Sequence, residues 1–536
     1  MKPDAARAPL PLGVALVVAA AAGPILDAAF PDRDWWPLAI PAVALVLLAA
    51  QGRRPGPALL VGLVFGACFY FPHIEWATLF LGPIPWSALS TLMALWVMLG
   101  TAAISLVYRW APRVWSGLAG RLLLVPAIVA GLWTAREAIA SVWPYGGFSW
   151  GRVSFSQSES PFAALFGWLG VSGVSFLLVF LAAAGLAFAQ EAWRVRSAAG
   201  AQVAGGAPAR LSALRLGTAY LALLLLAMVF PAFPSATDGS TRVAAVQGNG
   251  KTSYFDPPER TGDNLLAQVA ATEPIYGEDV DVVVWPEGGS DLDPLRSASA
   301  ARIFDEVSQR AGAPLVSGII TARLPEGGDP ETDTEYFNTA VVWRDGQGAG
   351  DYYDKKHPVP FGEYVPDRDF WRQFAPDLID LIGREYTPGT TDTVLELDDG
   401  LLAGVAICFD IVDDQVMTDT VREGADLVFA PTNNADFGRT DESLQQLAIA
   451  HIRAIELGRS VVSISTVGTS AIIAPDGTIL DELTWYTADA MVVDVPLGTS
   501  TTPAVLLGRQ IEWGVSALGL IGLLLAAFAG RRVTRR

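Results

Sequence analysis

Eight long apolar stretches constrain this chain more than any other feature of its sequence. They cover approximately residues 8–28, 36–51, 57–80, 86–108, 119–141, 162–190, 211–232 and 511–529. Most of them reach the roughly 20 residues that a helix needs to cross a lipid bilayer. The sequence therefore predicts a multi-pass α-helical membrane domain of about eight spans. Residues 1–28 alone would also fit a cleaved signal peptide, but seven further spans favour an anchor.

The charged side chains divide the chain into two parts. Of the 55 acidic and 36 basic side chains, 46 and 17 lie between Pro234 and Ser500, which gives this segment a net charge of −29. The remainder, which contains the apolar stretches, carries 19 basic and 9 acidic side chains. We therefore predict a transmembrane domain of seven spans at 1–233, a separate acidic domain at 234–500, and a final span with a basic tail at 501–536. The overall charge of −19 argues against nucleic acid as a partner.

Lysine and arginine gather in alternate loops between the apolar stretches. The residues concerned are Lys2, Arg7, Arg53, Arg54, Arg109, Arg113, Arg121, Arg194, Arg196, Arg210, Arg531, Arg532, Arg535 and Arg536. Cytoplasmic loops retain positive charge, so this pattern predicts that both termini are cytoplasmic and that the acidic domain is extracytoplasmic.

The acidic segment alternates between strand-like and helix-like runs. Continuous apolar runs, typical of strands buried on both faces, lie at 243–249, 281–287, 314–320, 339–343, 401–410, 426–433, 460–466, 471–477 and 491–497. Helical windows lie around 258–272, 297–312, 413–424 and 440–458. The sequence thus predicts one layered α/β domain.

Three reactive side chains stand at or just after strand-like runs of this domain. Glu287 closes one run, Lys355 lies in a short polar segment, and Cys408 is near the end of another run. Taken singly they would be an ordinary turn carboxylate, a solvated lysine and a small buried hydrophobe. Together they supply a base, a cation and a nucleophile, which suffice for acyl transfer through a thioester. The other cysteine, Cys68, lies in the third apolar stretch, so we expect no disulfide.

The surrounding motifs resemble a known family. Trp-Pro-Glu at 285–287, Tyr-x-Lys-x-His at 353–357 and the single cysteine after an apolar run resemble the nitrilase or carbon–nitrogen hydrolase superfamily, which carries a Glu-Lys-Cys triad on an αββα sandwich. Further stretches are similar to the apolipoprotein N-acyltransferase family: PFGEYVP at 360–366, TNNADFG at 432–438, RAIELGR at 453–459, FSWGRVSFSQ at 148–157 and GVSGVSF at 170–176. The resemblance implies an extracytoplasmic nitrilase-like αββα sandwich between the seventh and eighth spans.

The resemblance also implies roles for individual residues. Glu287 would be the general base, Lys355 the oxyanion stabiliser and Cys408 the nucleophile, and Glu363 would orient the lysine. The remaining implied site residues are Phe409 as a backbone N–H donor, Asp410 as an acid, His357 as a support of the lysine loop, and Phe255, Asn433, Asn434, Arg136 and Glu137 as substrate-binding residues. The family usually has Tyr and Glu where this chain has Phe409 and Asp410, so the phenol hydroxyl is lost there.

The activity implied by the resemblance is an acyl transfer. A fatty acyl chain would move from a membrane phospholipid, by ping-pong chemistry through a cysteine thioester, to the N-terminal amino group of S-diacylglyceryl-cysteine in a lipoprotein. The partners would be this phospholipid donor, the diacylated lipoprotein acceptor and the lipid of a bacterial plasma membrane. No cofactor or metal is expected, since the three histidines lack metal-ligand spacing.

Two alternatives remain open at the level of the sequence. A membrane-anchored carbon–nitrogen hydrolase, an amidase or nitrilase, would use the same triad with water as the acceptor. A transporter or assembly scaffold would use the outer domain only for binding, although intramembrane charges are few and no inverted repeat is evident.

Overall fold

The computed structural model describes residues 8–200, 206–253 and 258–535. The chain divides into two compact units. The first, the helical unit, comprises Met1–Glu75, Pro83–Phe233 and Leu507–Arg536. The second, the α/β unit, comprises Trp76–Gly82 and Pro234–Leu506. Trp76–Gly82 overlaps the end of the third predicted apolar stretch, yet it groups with the α/β unit.

The helices of the described residues are numbered along the chain. They are α1 (Leu12–Asp27), α2 (Ala39–Ala50), α3 (Pro55–His73), α4 (Thr78–Leu81), α5 (Pro83–Val114), α6 (Val125–Ala140), α7 (Phe166–Gly200), α8 (Gly206–Met228), α9 (Asp263–Thr272), α10 (Ala298–Ala311), α11 (Arg368–Arg372), α12 (Pro376–Ile379), α13 (Asp414–Arg422), α14 (Asp441–Leu457) and α15 (Pro503–Arg535).

An apolar helix coincides with each of the eight predicted stretches. Within the described residues, six helical segments are long and apolar enough to cross a membrane: Pro55–His73, Pro83–Val114, Gly120–Ala140, Pro161–Ser197, Leu211–Met228 and Pro503–Ala529. The first two apolar helices, Leu12–Asp27 and Trp36–Ala50, are shorter. A helical region with several candidate spans is therefore confirmed, whereas the number of spans stays a prediction.

Helices α6 and α15 approach each other closely because both carry glycine at the contact. A Cβ atom on Gly131 would lie 2.3 Å from the Val515 carbonyl oxygen, and one on Gly519 would lie 2.4 Å from the Leu132 nitrogen. Small residues of this kind let the backbones of apolar helices pack together where there is little hydrophobic driving force.

The α/β unit contains two six-stranded sheets. The strands of the described residues are β1 (Thr237–Gln247), β2 (Val282–Val284), β3 (Leu315–Arg323), β4 (Glu335–Arg344), β5 (Gly348–Asp354), β6 (Val394–Glu396), β7 (Leu402–Val405), β8 (Leu427–Thr432), β9 (Ser460–Ser465), β10 (Ser470–Ile473), β11 (Ile479–Leu483) and β12 (Asp489–Gly498). The first sheet has the order β12-β1-β2-β3-β4-β5, and the second has the order β11-β10-β9-β8-β7-β6.

The two sheets pack face to face and helices cover their outer faces. In β1, Val243 and Ala245 join residues of both sheets in one core, whereas Ala244 and Val246 pack with α9 and α10 in another. This alternation follows from the period of two along a strand. Helices α13 and α14 pack on the second sheet. The predicted αββα sandwich is therefore confirmed.

The structure corrects some predicted boundaries. The run 401–410 was expected to be one strand, but β7 ends at Val405 and a short 3-10 helix spans Cys408–Val412. The short or polar strands β5, β6 and β11 were not predicted. Two of them, β5 and β11, are largely exposed, so their sequences lack the apolar run that identifies a buried strand.

Candidate active site

Glu287 is held in a tight turn that follows β2. The indole of Trp285 is buried and its Nε1 donates to Thr272 Oγ1 at 3.0 Å, which fixes the start of the turn. Gly288 has φ +64°, a conformation that glycine adopts without strain. A Cβ atom on Gly318 of β3 would lie 2.6 Å from Glu287 Cα, so the neighbouring strand passes here only because it has glycine. The carboxylate is therefore set rigidly at the end of the first sheet.

Lys355 follows β5 in the same sheet and is almost completely buried, with 1% of its side chain exposed. Its backbone N–H donates to the carbonyl of Asn338 on β4 at 2.9 Å, which continues the pairing of the two strands. Its Nζ lies 2.8 Å from Glu363 Oε2 and 3.9 Å from Glu287 Oε1. The ammonium group thus stands between two carboxylates.

Asn338 also joins these two carboxylates. Its Nδ2 donates to Glu287 Oε1 at 2.6 Å and to Glu363 Oε1 at 3.0 Å. The other oxygen of Glu363 accepts from the backbone N–H of Val359 at 2.6 Å. One amide and one ammonium therefore tie Glu287, Lys355 and Glu363 into a single cluster.

Cys408 follows β7 of the second sheet and is the first residue of the short 3-10 helix. Its φ of +50° is unusual for a residue with a side chain. Backbone in this region costs on the order of 1–3 kcal/mol and is found frequently at active sites. Gln446 Nε2 on α14 lies 3.8 Å from the Cys408 Sγ, within hydrogen-bonding range for sulfur. The turn presents the thiol in the way that a nucleophile requires.

The charges of the site determine which groups hold protons. Burial lowers the pKa of the Lys355 ammonium, but Glu363 and Glu287 outweigh it, so that this pKa lies above its ordinary value. Burial raises the pKa of the Glu287 carboxyl, opposed by Lys355 and by hydrogen bonds from Asn338 and the Asn433 N–H. Burial, reinforced by Glu287, raises the pKa of the Cys408 thiol, although Lys355 acts to lower it. Lys355 is therefore a permanent cation, whereas the thiol needs a base to remove its proton.

Asp410, two residues after the cysteine, is fully buried. Its Oδ2 accepts from the Tyr353 hydroxyl at 2.8 Å and from the Ile407 N–H at 3.3 Å. No hydrogen bond from the described residues reaches its Oδ1. Burial raises the pKa of Asp410 to about 7, although Lys355 and Tyr353 act to lower it. Phe409 has no hydroxyl, but Tyr353 of the Tyr-x-Lys-x-His motif places a phenol hydroxyl against the Asp410 carboxyl.

The two asparagines that the resemblance singled out lie beside this cluster. Asn433 donates through its backbone to Glu287, and its side-chain oxygen accepts from Thr252 Oγ1 at 2.9 Å and from Thr466 Oγ1 at 2.8 Å. Asn434 Nδ2 donates to Glu442 Oε2 at 2.8 Å and to Gln446 Oε1 at 2.7 Å.

Three further predicted site residues belong to the same domain. His357 is half exposed, with its Nε2 3.7 Å from Asp413 Oδ2 at the start of α13. Phe409 follows the cysteine in the short helix. Phe255 is outside the described residues.

Arg136 and Glu137 are buried in α6 of the helical unit. Glu137 Oε1 accepts from Trp133 Nε1 at 2.7 Å and from the Val153 N–H at 3.2 Å, and it lies 3.4 Å from Arg136 Nη2. Their predicted role in substrate binding stays a prediction.

Sequence reasoning missed Asn338, Tyr353 and Gln446 as members of the site. A signal existed for the first of them, because Asn338 directly precedes the apolar run 339–343 and a lone amide in a buried strand needs partners. Tyr353 carried a signal as the first residue of the Tyr-x-Lys-x-His motif, whereas Gln446 carried none, since its contacts depend on how α14 packs. Among the described residues, no group of three or more His, Cys, Asp or Glu side chains is arranged to hold a metal ion.

Two family models match the chain, one in each of its parts. The model for the Apolipoprotein N-acyltransferase N-terminal domain matches residues 22–184. The model for Carbon-nitrogen hydrolase matches residues 242–502, which include Glu287, Lys355 and Cys408.

Several proteins named apolipoprotein N-acyltransferase are similar over almost the whole chain. The protein from Mycolicibacterium smegmatis is 31% identical, and the match covers 97% of this chain and 87% of that protein. The proteins from Pseudomonas syringae pv. tomato and Vibrio cholerae are 28% and 25% identical, with 96% and 97% of each chain covered. Among solved structures, an amidase from Nesterenkonia sp. is 18% identical with a TM-score of 0.36, over 49% of this chain and 93% of that one.

Proposed function

Because this chain belongs to the apolipoprotein N-acyltransferase family, we propose that it transfers a fatty acyl chain from a membrane phospholipid to the N-terminal amino group of S-diacylglyceryl-cysteine in lipoproteins. Family membership makes the protein an acyltransferase of lipoprotein biosynthesis. One observation carries the proposed mechanism: Glu287, Lys355 and Glu363 form one hydrogen-bonded cluster that is electrostatically coupled to the strained Cys408.

The first half-reaction forms a thioester. Glu287 takes the proton of the Cys408 thiol as the sulfur attacks the ester carbonyl of the phospholipid, and a new S–C bond forms. Lys355, together with the N–H of Phe409, stabilises the oxyanion of the tetrahedral intermediate. The ester C–O bond then breaks, and the leaving oxygen receives the proton from Glu287 and departs as lysophospholipid.

The second half-reaction regenerates the thiol. The amino group of the lipoprotein attacks the thioester carbonyl, Glu287 accepts a proton from the nitrogen, and the C–S bond breaks as the amide forms. The cysteine thiolate then recovers a proton from Glu287. Water must be excluded while the thioester exists, because hydrolysis would release free fatty acid.

The cluster around Lys355 explains how one carboxylate can serve as a base while another cannot. Glu363 lies 2.8 Å from the ammonium and also accepts hydrogen bonds from Asn338 and Val359, so it is fully engaged as a counter-ion. Glu287 lies 3.9 Å from the ammonium and is therefore the less strongly neutralised of the two. We assign proton transfer to Glu287 and the orientation of Lys355 to Glu363.

The apolar helices and the division of charge support a bacterial plasma-membrane location. We propose eight spans, cytoplasmic termini and an extracytoplasmic α/β unit, because the lysines and arginines of the alternate loops favour that orientation. Both substrates are anchored in the membrane, so a membrane-bound site replaces a search in bulk solution by one along a surface.

The test is mass spectrometry of the purified full-length protein after incubation with phospholipid alone. We expect an acyl adduct on Cys408 that disappears when a diacylated lipopeptide is added, with acylated lipopeptide as the product. Modification of the lipopeptide without any adduct would contradict the thioester mechanism.

A carbon–nitrogen hydrolase is the second candidate function, favoured by the match at residues 242–502. The same incubation distinguishes it. Free fatty acid or ammonia as the sole product, in the presence of lipopeptide, would support hydrolysis and contradict acyl transfer.

A further inference from the structure

Gln446 on α14 contacts the reacting sulfur, although none of the motifs described above includes it. The side chain is buried, and its Nε2 lies 3.8 Å from Cys408 Sγ. A hydrogen-bond donor at this position would stabilise the negative charge that develops on sulfur. Whether the amide presents nitrogen or oxygen to the sulfur depends on its other contacts.

The oxygen of the Gln446 amide is already saturated. Gln446 Oε1 accepts from Thr432 Oγ1 at 2.9 Å and from Asn434 Nδ2 at 2.7 Å. A carbonyl oxygen has two lone pairs, and both are used here. The NH₂ group is therefore the end that faces the sulfur.

The orientation of Asn434 is fixed in turn by a backbone donor. The Gly468 N–H donates to Ser465 Oγ at 2.9 Å, and the Ser465 hydroxyl donates to Asn434 Oδ1 at 2.6 Å. Asn434 Nδ2 is then left to donate to Gln446 and to Glu442 Oε2. A chain of hydrogen bonds thus runs from the backbone of Gly468 to the thiol and points donors towards the sulfur at every step.

The other groups that face Cys408 leave this donor an important role. Burial, Glu287 and Glu442 raise the pKa of the thiol, whereas Lys355 and a hydrogen bond with Thr432 lower it. The hydroxyl of Thr432 has one proton, which it donates to Gln446 Oε1 when it does not donate to the sulfur, and Asn434 Nδ2 holds the Gln446 oxygen in either case. The Gln446 amide therefore stabilises negative charge on the sulfur without placing another charged group in the site.

We infer that Gln446 is a further catalytic residue, whose amide N–H donates to the Cys408 sulfur and stabilises the thiolate that attacks the ester. This inference rests on the proposed role of Cys408 as nucleophile. The chain to Gly468 makes Asn434 and Ser465 positioning residues for this amide.

The experiment measures the rate at which Cys408 in the full-length protein reacts with iodoacetamide between pH 6 and pH 11, followed on the Cys408 peptide by mass spectrometry. In Gln446→Met we expect the midpoint of the pH dependence of alkylation to rise by about one pH unit, which corresponds to the free energy of one neutral hydrogen bond. Acylation of Cys408 by phospholipid should slow about tenfold. Gln446→Glu keeps the shape but places an acceptor at the sulfur, so the shift should be larger. Gln445→Met is the matched control, since Gln445 is the neighbouring buried glutamine and accepts instead from Trp76 Nε1.

The outcomes separate this inference from the proposed function. Unaltered alkylation profiles in both Gln446 variants would overturn the role of Gln446 while leaving the thioester mechanism intact. If Gln446→Met does not fold, the profile of the isosteric Gln446→Glu decides. A failure of the unsubstituted protein to form an acyl adduct, with the predicted alkylation shifts present, would overturn the proposed function instead.

Discussion

The two sheets of the α/β unit contribute different chemistry to one site. The first sheet supplies Glu287, Asn338 and Lys355, which form an ionic cluster with Glu363. The second supplies Cys408, whose hydrogen-bonding partners include the neutral amide of Gln446. The nucleophile thus has a neutral amide as a partner on its own side of the site, whereas its base and its cation come from the other sheet.

The carboxyl groups on the cysteine side reinforce this contrast. Burial raises the pKa of Asp410 to about 7 and that of Glu442 to about 8. Both carry less negative charge near neutral pH than an exposed carboxyl would, and Glu442, which raises the pKa of the thiol, therefore opposes the thiolate less. The acid–base groups and the nucleophile thus come from different sheets of one fold.

Removal of the nucleophile should have the largest effect on activity. In Cys408→Ser the hydroxyl holds its proton much more tightly than a thiol, and we expect kcat to fall by at least roughly 10³-fold. Transfer to a diacylated lipopeptide measures this loss, with Cys68→Ser as the control for the other cysteine. Retention of activity in Cys408→Ser would show that the second sheet does not carry the nucleophile.

Removal of the cation should have the next largest effect. In Lys355→Met the carboxylates of Glu287 and Glu363 remain bridged by Asn338 with no positive charge between them, and the oxyanion loses its stabilising group. We expect kcat to fall roughly 10²–10³-fold, as for loss of an oxyanion donor.

The adjacent lysine offers a matched control for this prediction. Lys356→Met removes the same charge one residue further along the chain and should leave kcat within about twofold, since loss of a partly exposed charge has a small effect. Equal losses in Lys355→Met and Lys356→Met would mean that general charge, and not the cluster of the first sheet, supports the reaction.

The amide bridge should have an intermediate effect. Asn338→Leu removes two hydrogen bonds to carboxylates, each of about 1.5–3 kcal/mol, and frees Glu287 to change its position and its pKa. We expect kcat to fall by about 10–100-fold with little change in KM, and the acidic limb of the pH–rate profile to move. Asn338→Asp, which adds a third carboxylate, should lower kcat further. A change confined to KM would contradict a role in positioning the base.

The contrast between the sheets also explains what the sequence could predict. Glu287 and Cys408 lie near the ends of apolar runs, where α/β sheets place their sites, and Lys355 lies in the Tyr-x-Lys-x-His motif, so their positions could be inferred from local patterns. Asn338 could not be assigned a role from the sequence, because its role depends on the tertiary contacts by which β4 places its amide between Glu287 and Glu363. Its partners lie 51 and 25 residues away along the chain.

Neither the turn at Cys408 nor the role of α14 could be predicted from the sequence, for related reasons. An uninterrupted apolar run predicted a strand to residue 410, whereas the chain leaves the sheet after Val405 to reach the φ of +50° at the cysteine. The helix at 440–458 was predicted from its apolar spacing, and its polar residues would ordinarily face solvent. Tertiary packing buries Gln446 and Glu442 instead, and a helical period does not reveal that.

The smallest expected effect concerns stability and tests whether the cysteine side is uncharged. Asp410 has a pKa of about 7 in the folded protein against an ordinary value of 3.8. Between these values the folded state binds a proton that the unfolded state does not. The contribution of Asp410 to the free energy of unfolding is therefore fully present below about pH 4 and is lost as the pH rises through about 7. Asp410→Asn removes this titration while nearly keeping the shape of the side chain. The Tm of the variant should therefore increase relative to that of the unsubstituted protein as the pH rises from 5 to 8.

The measurement is the difference in Tm between the variant and the unsubstituted protein in detergent at each pH, which cancels the titration of all other groups. A gain of several degrees is expected, because 1 kcal/mol moves Tm by roughly 2–4 °C in a domain of this size. Asp399→Asn, the same substitution at an exposed position, should show no such trend. If the difference for Asp410→Asn stayed constant with pH, Asp410 would be ionised throughout, because its pKa would then equal its ordinary value. The second sheet would then carry a full negative charge two residues along the chain from Cys408, and the contrast between a charged and an uncharged side of the site would fail.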